Sequence, residues 1–202
     1  MLQISEPYNQ PTEVIEHKNF LSLEEISKLS TDLKNIPYEP ATTHGLQKLE
    51  VRKSKIKWLG FNKEFQWLYY KVIDQIQLYN SYYWNFKLEE LKEPFQYTEY
   101  NSTYQGKYDW HLDLGKDKTS FRKISLTIQL SSPKEYEGGI LQVYDRGLGK
   151  GEYKDAEFPV FDISKGLGNA VFFPSFFPHR VTPVTKGIRR SLVLWVGGCP
   201  FR

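Results

Sequence analysis

The sequence predicts a mainly β protein of the α+β class, a sandwich or jelly roll with N-terminal helices packed outside one sheet. Three observations carry that reading. Helical periodicity dominates up to about residue 93. From Pro94 onward the segments become short, β-branched and aromatic, and Gly and Pro punctuate them. Eight such short segments, with turn signals between them, suggest a sandwich or jelly roll.

The first helix is announced by Ser22-Leu23-Glu24-Glu25, which has the form of a capping box, with Ser at the cap and Glu three residues on. Leu23, Ile26, Leu29 and Leu33 then recur at helical spacing, and Asn35, Pro37 and Pro40 end the run. A second helix is expected from near Asn62, with Phe65, Leu68, Tyr69, Val72, Ile76 and Tyr79 as its buried stripe. Strands are expected at Phe95–Tyr100, Tyr108–Asp113, Lys123–Leu130, Ile140–Asp145, Glu157–Phe161, Ala170–Phe173, His179–Pro183 and Arg189–Val196. Gly138-Gly139 and Lys186-Gly187 read as turns, and the Gly-rich, charged segment Arg146–Lys154 as a loop. No repeat or low-complexity linker divides the chain. It reads as one domain over residues 1–202, with a helical buttress at 1–93 and a jelly-roll core at 94–202.

Composition removes several functional classes. Lys and Arg number 27 against 24 Asp and Glu, so the formal charge of +3 gives no reason to expect nucleic acid or an anionic membrane as partner. Cys199 is the only cysteine, which excludes an internal disulfide and a cysteine-rich zinc site. The residues from Met1 to Pro7 lack the apolar run of a signal peptide, and no stretch approaches the ~18 apolar residues of a membrane span. The expectation is a cytoplasmic protein, monomeric or homodimeric.

One constellation carries chemistry. His111 and Asp113 lie two apart on an expected strand, so they share a face while Leu112 points away. His179, from a strand expected near the other end of the barrel, would complete a set of two imidazoles and one carboxylate. Such a set binds a metal by one face and leaves positions open, for iron or for zinc. Arg189 follows ten residues later, with Ser191 on its face. A guanidinium fork and a hydroxyl suit a carboxylate. Arg190 points the other way, as a solvent-facing charge. His17 and His44 read as solvated or capping residues, and Cys199 as a small buried or terminal one.

The motifs around these residues resemble those of the iron(II)- and 2-oxoglutarate-dependent dioxygenases, in the prolyl 4-hydroxylase-like branch with the bacterial PKHD-type hydroxylases. The resemblance rests on Arg52-Lys53-Ser54 with Trp58-Leu59, on Gln96 to Tyr100, and on Tyr108-Asp109-Trp110-His111-Leu112-Asp113. It continues through Ile124 to Ser131, Tyr136-Glu137-Gly138-Gly139-Ile140-Leu141, Phe173-Pro174-Ser175, His179, Val181 to Gly187 and Arg189. It implies a double-stranded β-helix, with iron(II) on His111, Asp113 and His179. Arg189 would grip the distal carboxylate of 2-oxoglutarate, with Ser191 as helper and Tyr100 as the pocket tyrosine. A longer segment from Asn101 to Gly106 than the family pattern leaves Tyr104 as the other candidate. Ser125, Thr127 and Gln129 alternate along one strand and either line this pocket or pack as ordinary strand residues. Gln129 stands where many relatives carry an aromatic.

The implied reaction consumes O2 and 2-oxoglutarate, with ascorbate as reductant, yields succinate and CO2, and hydroxylates a C–H bond. The branch suggests a prolyl residue of a peptide or protein. Tyr97, Tyr100, Tyr104, Tyr108 and Trp110 make the approach aromatic, either as proline-binding surface or as packing. The carboxylate of Asp113 predicts hydroxylation rather than halogenation, since the related halogenases carry a small residue there. Arg146–Lys154 is a substrate lid or a plain loop. Other readings are the same chemistry on a small molecule or another side chain, a jelly-roll module that binds a metal or organic acid without turnover, and a zinc hydrolase. The last lacks an evident general base, for which Glu99 and Asp109 are the only proposals.

Overall fold

The computed structural model describes residues 14–41, 48–89, 91–144 and 160–200. Strand β1 (Ile15–His17) leads into helix α1 (Leu23–Asp32), followed by β2 (Glu39–Pro40), β3 (Arg52–Lys53), β4 (Lys55–Leu59) and helix α2 (Gln66–Tyr79). The strands β5 (Phe95–Asn101), β6 (Lys107–His111), β7 (Arg122–Gln129), β8 (Tyr136–Gly138), β9 (Leu141–Tyr144), β10 (Val160–Asp162), β11 (Ala170–Pro174), β12 (His179–Val181) and β13 (Val184–Gly197) complete the chain. Every strand pairing is antiparallel. A large sheet runs in the order β1-β11-β7-β13-β5-β4-β2, with β8 also on β13, and a smaller one runs β10-β9-β12-β6-β3. No helix among the described residues is long and apolar enough to cross a membrane.

Alternation along the large sheet separates two interiors. Ile124, Leu126 and Ile128 of β7, Ala170 and Phe172 of β11, Leu192, Leu194 and Val196 of β13, and Phe95 and Tyr97 of β5 form one apolar cluster with the helices. The intervening residues face the small sheet. There Tyr100, Val171 and Phe173 meet Leu141, Val143 and Val181 in a second cluster. Polar residues share that second face: Ser125, Gln129, Ser191 and Arg189 are all buried. The helices thus cover one side of the large sheet, and the small sheet closes a part-polar space on the other.

The helices follow their local signals. Glu25 N donates to Ser22 Oγ at 3.2 Å and Ser22 N to Glu25 Oε2 at 2.8 Å, the reciprocal capping box. The Glu25 carboxylate also takes Lys71 Nζ of α2 at 2.7 Å, which ties the helices together. Leu29 and Leu33 are buried as expected, but Leu23 is 72 % exposed, because the first residue after the cap points away from the sheet. On α2, Leu68, Tyr69, Val72 and Ile76 are buried against the sheet. The helix starts at Gln66 rather than near Asn62, whose side chain instead accepts from Phe65 N at 3.0 Å in the preceding turn.

The N-terminal third is less helical than its periodicity suggests. It contributes β1, β2 and β4 to the large sheet and β3 to the small one. These strands are two to five residues long, too short for alternation to announce them. In the C-terminal part, the last strand begins at Val184 rather than Arg189, because β8 pairs with its first half. The segments expected at Ile140–Asp145 and Glu157–Phe161 appear as β9 and β10. Residues 145–159, including the loop Arg146–Lys154, and His44 lie outside the described residues.

Phe172 is fully buried and makes edge contacts with Phe20 and Tyr79, at ring-centroid distances of 5.9 and 5.1 Å, which links helix layer to sheet. Phe172→Ala should destabilise the fold by roughly 3–5 kcal/mol in urea unfolding. A loss below about 1 kcal/mol would mean that this layer is not the principal core.

Candidate metal centre

β6 ends at His111, so Asp113 is not a strand residue and does not share a pleated face with it. It reaches the same point by other means. Asp113 N and Leu114 N both donate to Ser175 O, at 3.1 and 2.9 Å, and Arg122 Nη1 donates to Asp113 O at 3.2 Å. Ser125 Oγ donates to Asp113 Oδ2 at 2.7 Å and lies 3.0 Å from Ser175 Oγ. Nor does His179 come from a distant strand: β12 pairs directly with β6, and His179 stands opposite His111 in the register. The three residues thus converge from neighbouring segments, and one ligand atom of each lies within 4.8 Å of the others.

Backbone carbonyls set the orientation of both imidazoles. His111 Nδ1 lies 2.8 Å from Asp109 O and His179 Nδ1 2.9 Å from Phe177 O. A carbonyl only accepts, so each Nδ1 carries a proton and each Nε2 faces Asp113. The Nε2 atoms lie 3.7 Å (His111) and 3.3 Å (His179) from the Asp113 carboxylate. Tyr108 stacks on His111 with ring centroids 3.5 Å apart, and Phe173 meets His179 edge-on at 4.9 Å. The Arg52 guanidinium lies over the Tyr108 ring, 4.6 Å from its centroid, and Arg52 donates to Gln96 at 2.6 Å.

Electrostatics match a cation site. Burial, with the charge of His179 beside it, pushes the His111 pKa down to about 3, so this imidazole is a neutral ligand at ordinary pH. Burial opposes ionisation of Asp113, but His179, His111 and Arg122 outweigh it and hold the carboxyl well below the usual range. Burial likewise opposes a charged His179, yet the Asp113 carboxylate more than compensates and raises it.

A second group of polar residues lies along the same face of the large sheet. Arg189 is 2 % exposed, donates to Ser191 Oγ at 3.2 Å, and has no carboxylate partner among the described residues. A buried guanidinium left without an anion is costly, so the site is built to receive one. It lines a cavity with Thr127, Gln129, Tyr136, Leu141 and Lys165. Tyr100 is its register partner, and the guanidinium carbon lies 5.4 Å from the Tyr100 ring centroid. Tyr104 instead donates to Glu99 O at 3.3 Å, away from this cavity. Gly139 has φ +55, and a β-carbon there would sit 3.1 Å from Arg189 Cδ and 2.9 Å from Val184, so its bare backbone makes room for the arginine.

Of the residues singled out by sequence, His111, Asp113 and His179 come together, and Arg189, Ser191, Tyr100, Thr127 and Gln129 gather in the adjoining space. Ser125 belongs to the Asp113 anchor. Arg190 faces away, as expected, but is not a free charge: it pairs with Glu99 at 3.4 Å. Glu99 also takes the Tyr38 hydroxyl, and Asp109 is exposed beside Lys107, so neither serves as a base at the metal residues. The aromatics go to separate environments, helped on β6 by a register irregularity opposite β12. Tyr108 stacks on His111, Tyr97 joins the helix-side core, and Trp110 carries Arg180 over its ring. His17 is no solvated residue: its Nδ1 lies 2.9 Å from the Tyr79 hydroxyl. Cys199 is exposed, with Sγ donating to Glu89 at 3.1 Å. Tyr136, Ser175 and Lys165 were missed as site residues. The first two sit inside quoted motifs, but Lys165 lies in a loop whose pattern carries no signal.

Comparison with known proteins agrees with this geometry. The chain is 33 % identical over 81 residues to a PKHD-type hydroxylase of Methylobacillus flagellatus, covering 39 % of this chain and 31 % of the relative. It is 32 % identical over 97 residues to one of Acidovorax ebreus, covering 45 % and 38 %. The matched region thus spans about a third of the length of these curated relatives. A Pseudomonas putida prolyl-4-hydroxylase superposes with TM-score 0.70 at 21 % identity, over 91 % of this chain and 92 % of that one. A prolyl hydroxylase from Trichoplax adhaerens, in complex with a hypoxia inducible factor degradation-domain peptide, gives TM-score 0.72 at 17 % identity, over 92 % and 84 %. At such identities the likeness speaks to the fold, the oxygenase jelly roll. The family model of the 2OG-Fe(II) oxygenase superfamily matches residues 95–197, from the first residue of β5 to the last of β13, and the chain belongs to that superfamily.

Proposed function

We propose that this chain is an iron(II)- and 2-oxoglutarate-dependent dioxygenase that hydroxylates a C–H bond of a prolyl residue in a peptide or protein, releasing succinate and CO2. One observation carries the reading. Two inward-facing Nε2 atoms and a carboxylate converge beside a buried arginine that has no carboxylate partner among the described residues. The donor set fits iron(II): two neutral imidazoles and one carboxylate bind one face and leave the other open. The bound metal supplies the activation of O2 and the oxidative decarboxylation of the 2-oxo acid.

The protein's own residues position and exclude. His111, Asp113 and His179 hold the cation, with Asp109 O and Phe177 O fixing the rings and Ser125 fixing the carboxylate. Arg189 binds the far carboxylate of the co-substrate and orients it, with Ser191, Tyr100, Thr127 and Gln129 around it. Leu141, Val143 and Phe173 form the apolar wall that keeps water away. Asp113 occupies the carboxylate position, so hydroxylation, not halogenation, is the outcome. Ascorbate would serve as a reductant. The domain is taken as residues 1–202, because strands from both sides of residue 93 share each sheet.

The prolyl substrate draws support from the likeness to the Pseudomonas putida prolyl-4-hydroxylase and to the Trichoplax prolyl hydroxylase with its peptide. Tyr108, stacked on a ligand histidine, places an aromatic beside the metal residues. The test is succinate release with proline-containing peptides, read together with a mass gain of one oxygen. Stoichiometric succinate and hydroxyproline support the proposal. Turnover stimulated only by small molecules would move the same chemistry to another substrate.

Two variants test the centre itself. Asp113→Ala should abolish nearly all 2-oxoglutarate turnover, and substantial residual activity would overturn the ligand assignment. Ser125→Ala leaves the ligands in place but frees the carboxylate, so iron(II) affinity should fall roughly 10–100-fold without loss of the fold. Unchanged affinity would mean that Ser125 packs but does not orient.

A further inference from the structure

The cavity beside Arg189 holds a second cation. Lys165, in the loop between β10 and β11, lines it together with Arg189, Tyr136 and Gln129. Its Nζ donates to Gly138 O at 2.7 Å and lies 4.8 Å from the centroid of the Tyr136 ring. Tyr136 in turn accepts from Gln129 Nε2 at 2.6 Å and is felt by Arg189. The ammonium therefore has a fixed seat. One of its three donors is used by a carbonyl, and the other two have no hydrogen-bond partner among the described residues.

Two like charges in one cavity repel. Burial and the nearby Arg189 lower the Lys165 pKa more than the carboxylates of Asp162 and Glu137 raise it, and among the described residues neither cation has an ion-pair partner within 4.0 Å. Arg189 alone could hold one carboxylate through two parallel bonds. A lysine seated beside it is unneeded for that, and it adds repulsion unless the ligand brings enough negative charge. The chain maintains the arrangement through specific contacts: the carbonyl of a left-handed glycine, Gly138 (φ +69), and a tyrosine ring whose hydroxyl is itself anchored.

Resting on the oxygenase reading of the site, we infer that Lys165 is a second anchor for the distal carboxylate of the co-substrate, and that it makes the site select 2-oxo dicarboxylates over 2-oxo monocarboxylates. Arg189 and Lys165 bracket the carboxylate from two elements, β13 and the β10–β11 loop. Lys165 acts through binding and position, not through the reacting atoms.

The test is calorimetric titration of manganese(II)-loaded protein, which binds without turning over. Two ligands are compared: 2-oxoglutarate, and 2-oxopentanoate, in which a methyl replaces the distal carboxylate. Lys165→Met should weaken 2-oxoglutarate binding roughly 10–100-fold and leave 2-oxopentanoate unchanged, while Lys165→Arg retains most of the affinity. Equal weakening of both acids would show that Lys165 only supports the loop and would overturn the inference. If Arg189→Met weakens 2-oxoglutarate but Lys165→Met does not, the second anchor is wrong and the oxygenase reading stands. If neither variant alters 2-oxoglutarate binding, the cavity is not the co-substrate site, and both fail.

Discussion

Charge removed from water must find a partner, and that constraint organises the interior between the two sheets. Asp113 is nearly inaccessible and survives ionised because two imidazoles, a serine hydroxyl and Arg122 surround it. Arg189 is still more buried, yet its polar and aromatic neighbours among the described residues, Ser191, Tyr100 and Tyr136, bring no carboxylate. The carboxylate belongs to the metal residues, and the guanidinium has no carboxylate partner among the described residues. The difference separates the cation half of the site from the half proposed to take the co-substrate.

The large sheet makes this arrangement compatible with stability. Its alternation sends every second side chain to the helices, where Phe172, Leu126 and Leu192 pack in the apolar cluster. The remaining positions are released from core duty and carry Ser125, Thr127, Gln129, Arg189 and Ser191. Each of β7 and β13 thus serves the core on one face and the site on the other. The capping box, the Glu25–Lys71 pair and the aromatic contacts of Phe172 keep the helices seated and hold the site strands at fixed spacing.

Much of this was legible in the chain. Helix α1 was readable because its cap is local, and α2 because fourteen residues of periodic pattern leave a clear stripe. His111, Asp113, His179 and Arg189 were found by residue type and spacing, but not for the geometric reason first apparent. Asp113 converges through hydrogen bonds to Ser175 and Ser125, not through the pleat, and His179 is a register neighbour of His111. Long-range pairing of that kind leaves no trace in local periodicity. The same limit hid β1, β3 and β4, whose few residues are strands only because another strand lies beside them. Lys165 was invisible because a lysine in a loop is ordinarily solvated, and only the fold brings it to Arg189.

The most direct measurement is an anaerobic titration of iron(II)-loaded protein with 2-oxoglutarate, followed in the visible spectrum. A co-substrate chelating the metal through its keto and adjacent carboxylate oxygens produces a weak charge-transfer band. The account predicts that the band appears, saturates at one equivalent per chain, and is absent from Asp113→Ala. Demonstrable iron binding with no band at any co-substrate concentration would contradict it, because the metal and the partnerless arginine would then not belong to one site.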